Sequence, residues 1–120
     1  MEKLRVGIIG YGKMGRIRAK SILESDRAEL ISVYDPVAPN DAPGSIVVGS
    51  EDEILGDPRI DTVFVCTPNF RTPELVIKAL NAGKHVFAEK PPAFNASQMG
   101  QVIKVESAHP QLKLMYGFNH

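Results

Sequence analysis

VGIIGYGKMG, Val6 to Gly15, is an apolar run followed by Gly10, Gly12 and Gly15 in the order GxGxxG, and it leads into a helical pattern. Each glycine answers a separate need in holding a dinucleotide: a tight turn, close backbone approach to the pyrophosphate, and close packing of helix on strand. A helix that starts here aims its free N–H groups and the positive end of its dipole at the phosphates. The expected anion site is made mostly of backbone, with Tyr11, Lys13 and Met14 filling the loop between the glycines.

A glycine-rich turn between a strand and a helix is common, so GxGxxG alone is a weak signal. Two neighbouring features strengthen it. Gly15, Ala19, Ile22 and Leu23 share one helical face, while Lys13, Arg16, Lys20 and Glu24 share the other, so the third glycine is expected to face the sheet. Twenty residues past Gly15, at the end of the apolar run Leu30 to Tyr34, stands Asp35. A carboxylate there would accept hydrogen bonds from both hydroxyls of the adenosine ribose. Taken alone, Asp35-Pro36 reads more simply as a turn.

The chain has 120 residues, the size of one domain. Fourteen basic and fourteen acidic residues balance, and no basic stripe forms, which argues against nucleic acid and anionic membrane and for small-molecule partners. The single cysteine, Cys66, cannot form an internal disulfide, and no apolar run is long enough for a signal peptide or a span. A cytoplasmic location is expected.

Apolar runs alternate with helical patterns, the signature of a doubly wound, mainly parallel α/β sheet with helices on both faces. Six strands are predicted, at Leu4–Ile9, Glu29–Tyr34, Ile46–Val48, Ile60–Val65, His85–Ala88 and Lys113–Tyr116. Helices are predicted over Gly12–Glu24, from the cap Ser50 to Gly56, and over Pro73–Ala82 with Thr72 as N-cap and Gly83 as stop. A last helix opens on an Asn95/Gln98 capping box, turns Met99, Val102 and Ile103 inward, and ends before Pro110. The segment PVAPNDAPGS, Pro36 to Ser45, reads as a loop where a crossover helix is usual, so the second crossover is shortened.

In such a sheet the ligand lies outside the carboxyl ends of the strands, where strand order reverses. The residues there are Gly10 to Met14, Asp35, Cys66-Thr67-Pro68-Asn69, Glu89-Lys90-Pro91 and Gly117-Phe118-Asn119. They are expected to form one rim. Cys66 reads as a small residue with a backbone role, since no paired base accompanies it. His85, His109 and His120 have no ligand-like spacing, so no metal site is expected.

From residue 3 to residue 120 the chain resembles the Gfo/Idh/MocA oxidoreductases, on GYGKMG at 10–15, CTPN at 66–69, AGKHVFAEKP at 82–91 and GFNH at 117–120. AGKHVFAEKP is the most specific of these, because a helix stop, a strand and a charged triplet keep fixed register with the glycine loop. The resemblance implies a Rossmann domain over residues 1–120 that binds NAD, with NADP binding less well because Pro-Val-Ala rather than Arg or Lys follows Asp35. It implies that Lys90 is catalytic, assisting proton transfer from a substrate hydroxyl as hydride leaves the carbon. A lysine partly desolvated in a cleft has the lowered pKa this requires. Without the resemblance, Glu89-Lys90 would read as solvated loop. A cis bond between Lys90 and Pro91 is also implied.

The chain departs from the family in three places. The proline-rich loop replaces a helix, Arg18 and Thr72 stand where histidines are frequent, and members continue some two hundred residues past GFN into a substrate domain absent here. The substrate implied is a sugar, inositol or other polyol, with half of the catalytic groups in that other domain. The surface around Pro91, Pro92, Phe94, Tyr116 and Phe118 would face it, so the isolated chain is expected to self-associate there, and to bind cofactor without turnover. A stand-alone dinucleotide-binding sensor or regulatory module is the alternative. The EKP triplet favours the enzyme and the length favours the module.

Overall fold

The computed structural model describes residues 3–37, 39, 42, 46–67, 71–89 and 96–116. Five strands, β1 (Leu4–Ile9), β2 (Ala28–Tyr34), β3 (Thr62–Val65), β4 (His85–Ala88) and β5 (Leu114–Tyr116), form one sheet in the order β2-β1-β3-β4-β5, with every pairing parallel. The helices are α1 (Lys13–Leu23), α2 (Glu51–Leu55), α3 (Thr72–Asn81) and α4 (Ala96–Ala108).

β1 lies between β2 and β3 and is buried from Val6 to Ile9, and its alternation divides the core. Val6 and Ile8 pack with Ala19 and Ile22 of α1 and with Leu30 and Val33 of β2. Ile9 faces the opposite layer, with Ile54 of α2, Leu75 and Ala79 of α3 and Val102 of α4. Gly7 permits that second layer to close: a Cβ there would lie 2.5 Å from Ile54 Cγ2 and 2.9 Å from Ile60 Cδ1.

The doubly wound sheet is as read from the sequence, but with five strands rather than six. The stretch Ile46–Val48 contributes one parallel bridge, Val33 to Val47, with the Val48 N–H donating to Val33 O at 3.0 Å. A ladder needs successive donors from an extended run, and the preceding segment offers three prolines and no periodicity. The bridge still lies outside β2, so the direction of winding is kept.

Three local readings are corrected. Thr72 is not the N-cap of α3: Arg71 already has αR backbone (φ −93°, ψ −15°), and Thr72 is the first helical residue, 2% exposed. Leu23 is 61% exposed, Met99 41% and Ile103 54%, so α1 buries a narrower stripe than its periodicity suggests, and α4 buries Val102 without those two neighbours. Ser50 does cap α2, accepting from the Glu53 N–H at 3.3 Å, while the Glu53 carboxylate takes the Gly49 N–H at 2.6 Å. Gly83 ends α3 at φ +82°, a conformation that glycine adopts without steric cost. Asn95 lies outside the described residues.

Candidate dinucleotide site

Strand register sets the site. Ile9 pairs with Tyr34 on one side and Val65 on the other, and Val65 pairs with Ala88, so β1 to β4 end level. The ladder runs one residue further: the Gly10 N–H donates to Tyr34 O (2.8 Å), Cys66 to Ile9 O (2.8 Å) and Glu89 to Val65 O (3.1 Å). Gly10, Asp35, Cys66 and Glu89 therefore leave the sheet at one height. After β2 the chain crosses β1 to enter β3 on its other side, and this is the strand-order reversal at which a crevice opens.

A cleft of about 520 Å³ lies over that point, lined by Ile9, Gly10, Gly12, Lys13, Met14, Tyr34, Asp35, Pro36, Val37, Cys66, Thr67 and Arg71. The three glycines play different parts. Gly10 sits at φ +100°, and a Cβ on it would press on the backbone of Cys66 and Thr67 at 2.6–2.8 Å. A Cβ on Gly15 would land on the carbonyl oxygen of Gly10, so this residue sets how closely α1 approaches the loop. Gly12, the residue before α1, has an ordinary φ of −81°, and a Cβ there would meet none of the described residues within 4 Å.

Asp35 is both a turn residue and a cleft residue. Its Oδ1 accepts the Val37 N–H at 2.8 Å and its Oδ2 the Tyr11 N–H at 2.6 Å, tying the end of β2 to the glycine loop. Each carboxylate oxygen has a second lone pair to offer the cleft. Tyr11 is 8% exposed, its ring in the core under the guanidinium of Arg16, and it reaches the site through its backbone. Thr67 Oγ1 is buried and has no hydrogen-bond partner among the described residues.

Glu89 stands beside the cleft-lining Cys66 without lining the cleft itself. Its carboxylate receives Arg18 Nε at 2.6 Å and Nη2 at 3.2 Å, and the same guanidinium lies 4.8 Å from the Phe87 ring centroid. The bond to Glu89 raises the Arg18 pKa further above its usual value. Cys66 Sγ lies 3.8 Å from Glu89 Oε2, and burial first, then the nearby carboxylate, push its thiol far above the usual range. A thiol so placed stays protonated and is no nucleophile.

Of the residues expected at the rim, Gly10, Gly12, Lys13, Met14, Asp35, Cys66 and Thr67 line one cleft, and Tyr11, Gly15 and Glu89 support it from behind. Pro68, Asn69, Lys90, Pro91 and Asn119 lie outside the described residues, as does the Lys90–Pro91 bond. Arg71 was not singled out from the sequence, yet it lines the cleft; its only sequence mark is its place before the Thr72-Pro73 helix start. Among the described residues no group of three His, Cys, Asp or Glu is placed to hold a metal ion, and no helix is long and apolar enough to cross a membrane.

A parallel sheet with a glycine-lined cleft at its reversal point defines a dinucleotide-binding α/β domain. Residues 4–118 match the family model described as oxidoreductase family, NAD-binding Rossmann fold, and the chain belongs to that Gfo/Idh/MocA family. It is 34% identical over 120 residues to the inositol 2-dehydrogenase of Rhizobium meliloti strain 1021, covering 97% of this chain and 36% of that protein. It is 33% identical over 122 residues to the myo-inositol 2-dehydrogenase of Thermotoga maritima, with the same coverage of 97% and 36%. The crystal structure of myo-inositol 2-dehydrogenase from Lactobacillus plantarum superposes with a TM-score of 0.86 at 25% identity, covering 97% of this chain and 36% of that one. The chain thus spans little more than a third of the length of the relatives it matches.

The residues present fit a dinucleotide. Gly12 leaves space that no described residue claims, Thr67 Oγ1 is a buried polar atom without a partner among the described residues, and Asp35 presents carboxylate acceptors at the cleft.

Proposed function

We propose that residues 1–120 form the NAD(H)-binding domain of an oxidoreductase that moves hydride between nicotinamide and a sugar, inositol or other polyol. The observation that carries this reading is Gly12: neither its backbone angle nor its packing needs glycine, so the missing side chain serves a ligand rather than the fold. Bound there, the nicotinamide cofactor supplies the hydride acceptor or donor. The chain's own groups do the rest. The first turn of α1 directs its free N–H groups at the pyrophosphate, Asp35 accepts from the adenosine ribose, and the Thr67 hydroxyl donates or accepts toward the cofactor from the cleft wall. Lys90, by family resemblance, exchanges the proton of the substrate hydroxyl.

The polyol assignment rests on the names of the inositol dehydrogenase relatives. NAD(H) is preferred over NADP(H), since the carboxylate of Asp35 repels a 2′-phosphate. The 120-residue chain alone binds cofactor without turnover and self-associates through the surface near β5, a sheet edge where Met115 is 56% exposed. A cytoplasmic location belongs to the same reading. Calorimetric titration with NAD and with NADP tests the core of it: NAD should bind more tightly, and equal or tighter NADP binding refutes the preference. Absence of binding by either refutes the function. Light scattering over a concentration series tests the association, which a monomer throughout would overturn.

A further inference from the structure

Arg71 is a cation at a cleft whose other charged residues are Asp35 and Lys13, and the Nε and Nη2 side of its fork is already engaged. Nε and Nη2 donate to Glu74 Oε1 at 3.1 and 2.5 Å, and Nη2 also donates to Glu51 Oε1 at 3.1 Å. Glu51 opens α2 and Glu74 lies in the first turn of α3, so two helices grip one guanidinium. Guanidinium hydrogen bonds lie in its plane, and a group held by its edge has its flat faces to offer.

The cleft is reached by the loops after β2 and β3, the strands on either side of β1, which bring Pro36 and Val37 from one side and Thr67 and Arg71 from the other. With pyrophosphate at Gly12 and the adenosine ribose at Asp35, the base would lie in the space between those loops. We infer that Arg71 is a specificity-determining residue that walls the adenine slot, its guanidinium stacked on the base and held flat by Glu51 and Glu74. This rests on the dinucleotide reading proposed above.

The test is calorimetric titration of the 120-residue chain with ADP-ribose and with nicotinamide mononucleotide, for wild type, Arg71→Ala and Arg71→Lys. Wild type should bind ADP-ribose; if it binds neither ADP-ribose nor NAD, the dinucleotide reading falls and this inference with it. Arg71→Ala should lose fivefold or more toward ADP-ribose and be unchanged toward nicotinamide mononucleotide. Arg71→Lys keeps a charge for Glu51 and Glu74, so it preserves the fold, but it lacks the plane and should lose nearly as much. Wild-type affinity in Arg71→Lys, or an equal loss toward both ligands, overturns the stacking role while leaving the dinucleotide site standing.

Discussion

Arg18 of α1 and Glu89 at the end of β4 are 71 residues apart in sequence and joined by two hydrogen bonds, at 2.6 and 3.2 Å, with side chains only 24% and 11% exposed. The pair fixes the start of the charged loop after β4 to the helix that begins at the glycine turn. Removing one partner of such a pair strands the other, whereas removing both does not. Glu89→Gln and Arg18→Met should each destabilise by about 1–3 kcal/mol, and the double variant by clearly less than the sum. Urea unfolding of all four proteins measures the coupling; strict additivity would mean that the contact contributes nothing.

The glycines of the phosphate loop should separate function from folding. Gly12→Val should keep its stability within about 1 kcal/mol, because the backbone is already extended and a Cβ there meets none of the described residues within 4 Å. It should still bind NAD at least tenfold more weakly, a loss of about 1.4 kcal/mol or more. Gly15→Ala should behave oppositely, losing roughly 1–3 kcal/mol of stability as α1 is forced off the Gly10 carbonyl. Thermal melts and NAD titrations together check both; NAD binding by Gly12→Val at wild-type strength would remove the phosphate-loop assignment.

Asp35→Ala should narrow the gap between the two cofactors. It deletes acceptors for the ribose and at the same time frees the Tyr11 N–H that orders the loop, so NAD affinity should fall about tenfold. NADP affinity should fall less, since the repulsion of its 2′-phosphate is lost as well. Titrating wild type and variant with both cofactors gives the ratio, and an unchanged ratio would show that Asp35 does not discriminate.

Lys84 carries a pH signature. It is 7% exposed, with Nζ donating to Asp57 O at 2.7 Å and Ile60 O at 2.6 Å, and burial lowers its pKa below the usual lysine value. Between that lowered value and the unfolded one of 10.5, the unfolded chain binds more protons, so this residue's contribution to stability rises with pH. Lys84→Met leaves the two carbonyls without this donor and should cost about 1–3 kcal/mol near neutrality. The deficit relative to wild type should widen as pH climbs toward 10.5. Denaturation of both proteins across that range tests the sign: a constant or shrinking difference contradicts it.

What the sequence discloses here is local. The GxGxxG turn, the helix that follows it and the aspartate twenty residues on lie within one βαβ unit, where periodicity and turn chemistry specify geometry. Helical spacing identifies a face but not its width: Leu23 and Ile103 share the faces of Ile22 and Val102 by spacing and are still exposed. The pairings of Arg18 and Arg71 are legible to different degrees. Arg18 reaches Glu89, 71 positions away, and Arg71 reaches Glu51, 20 positions away, pairings that leave no spacing rule to read, whereas the Arg71–Glu74 pair has the i,i+3 spacing of a helix. Ile46–Val48 looked like a strand from its composition, yet pairing depends on the neighbour's register and on the approach of the chain before it, and it closed a single bridge.

The level ending of the four strands has a consequence for how the domain breathes. Because the amides of Gly10, Cys66 and Glu89 extend the central ladder, their protons are expected to exchange with solvent only when the middle of the sheet opens, while the amides of Lys13 and Met14, in the first turn of α1 on the cleft wall, have no partner within the helix and are expected to exchange through local opening. The floor of the cleft thus keeps time with global unfolding and its walls with local fluctuation. A ligand seated there would slow the walls and leave the floor's clock set by the whole domain's stability, so the two sets of amides give separate readings of occupancy and of fold from one exchange experiment.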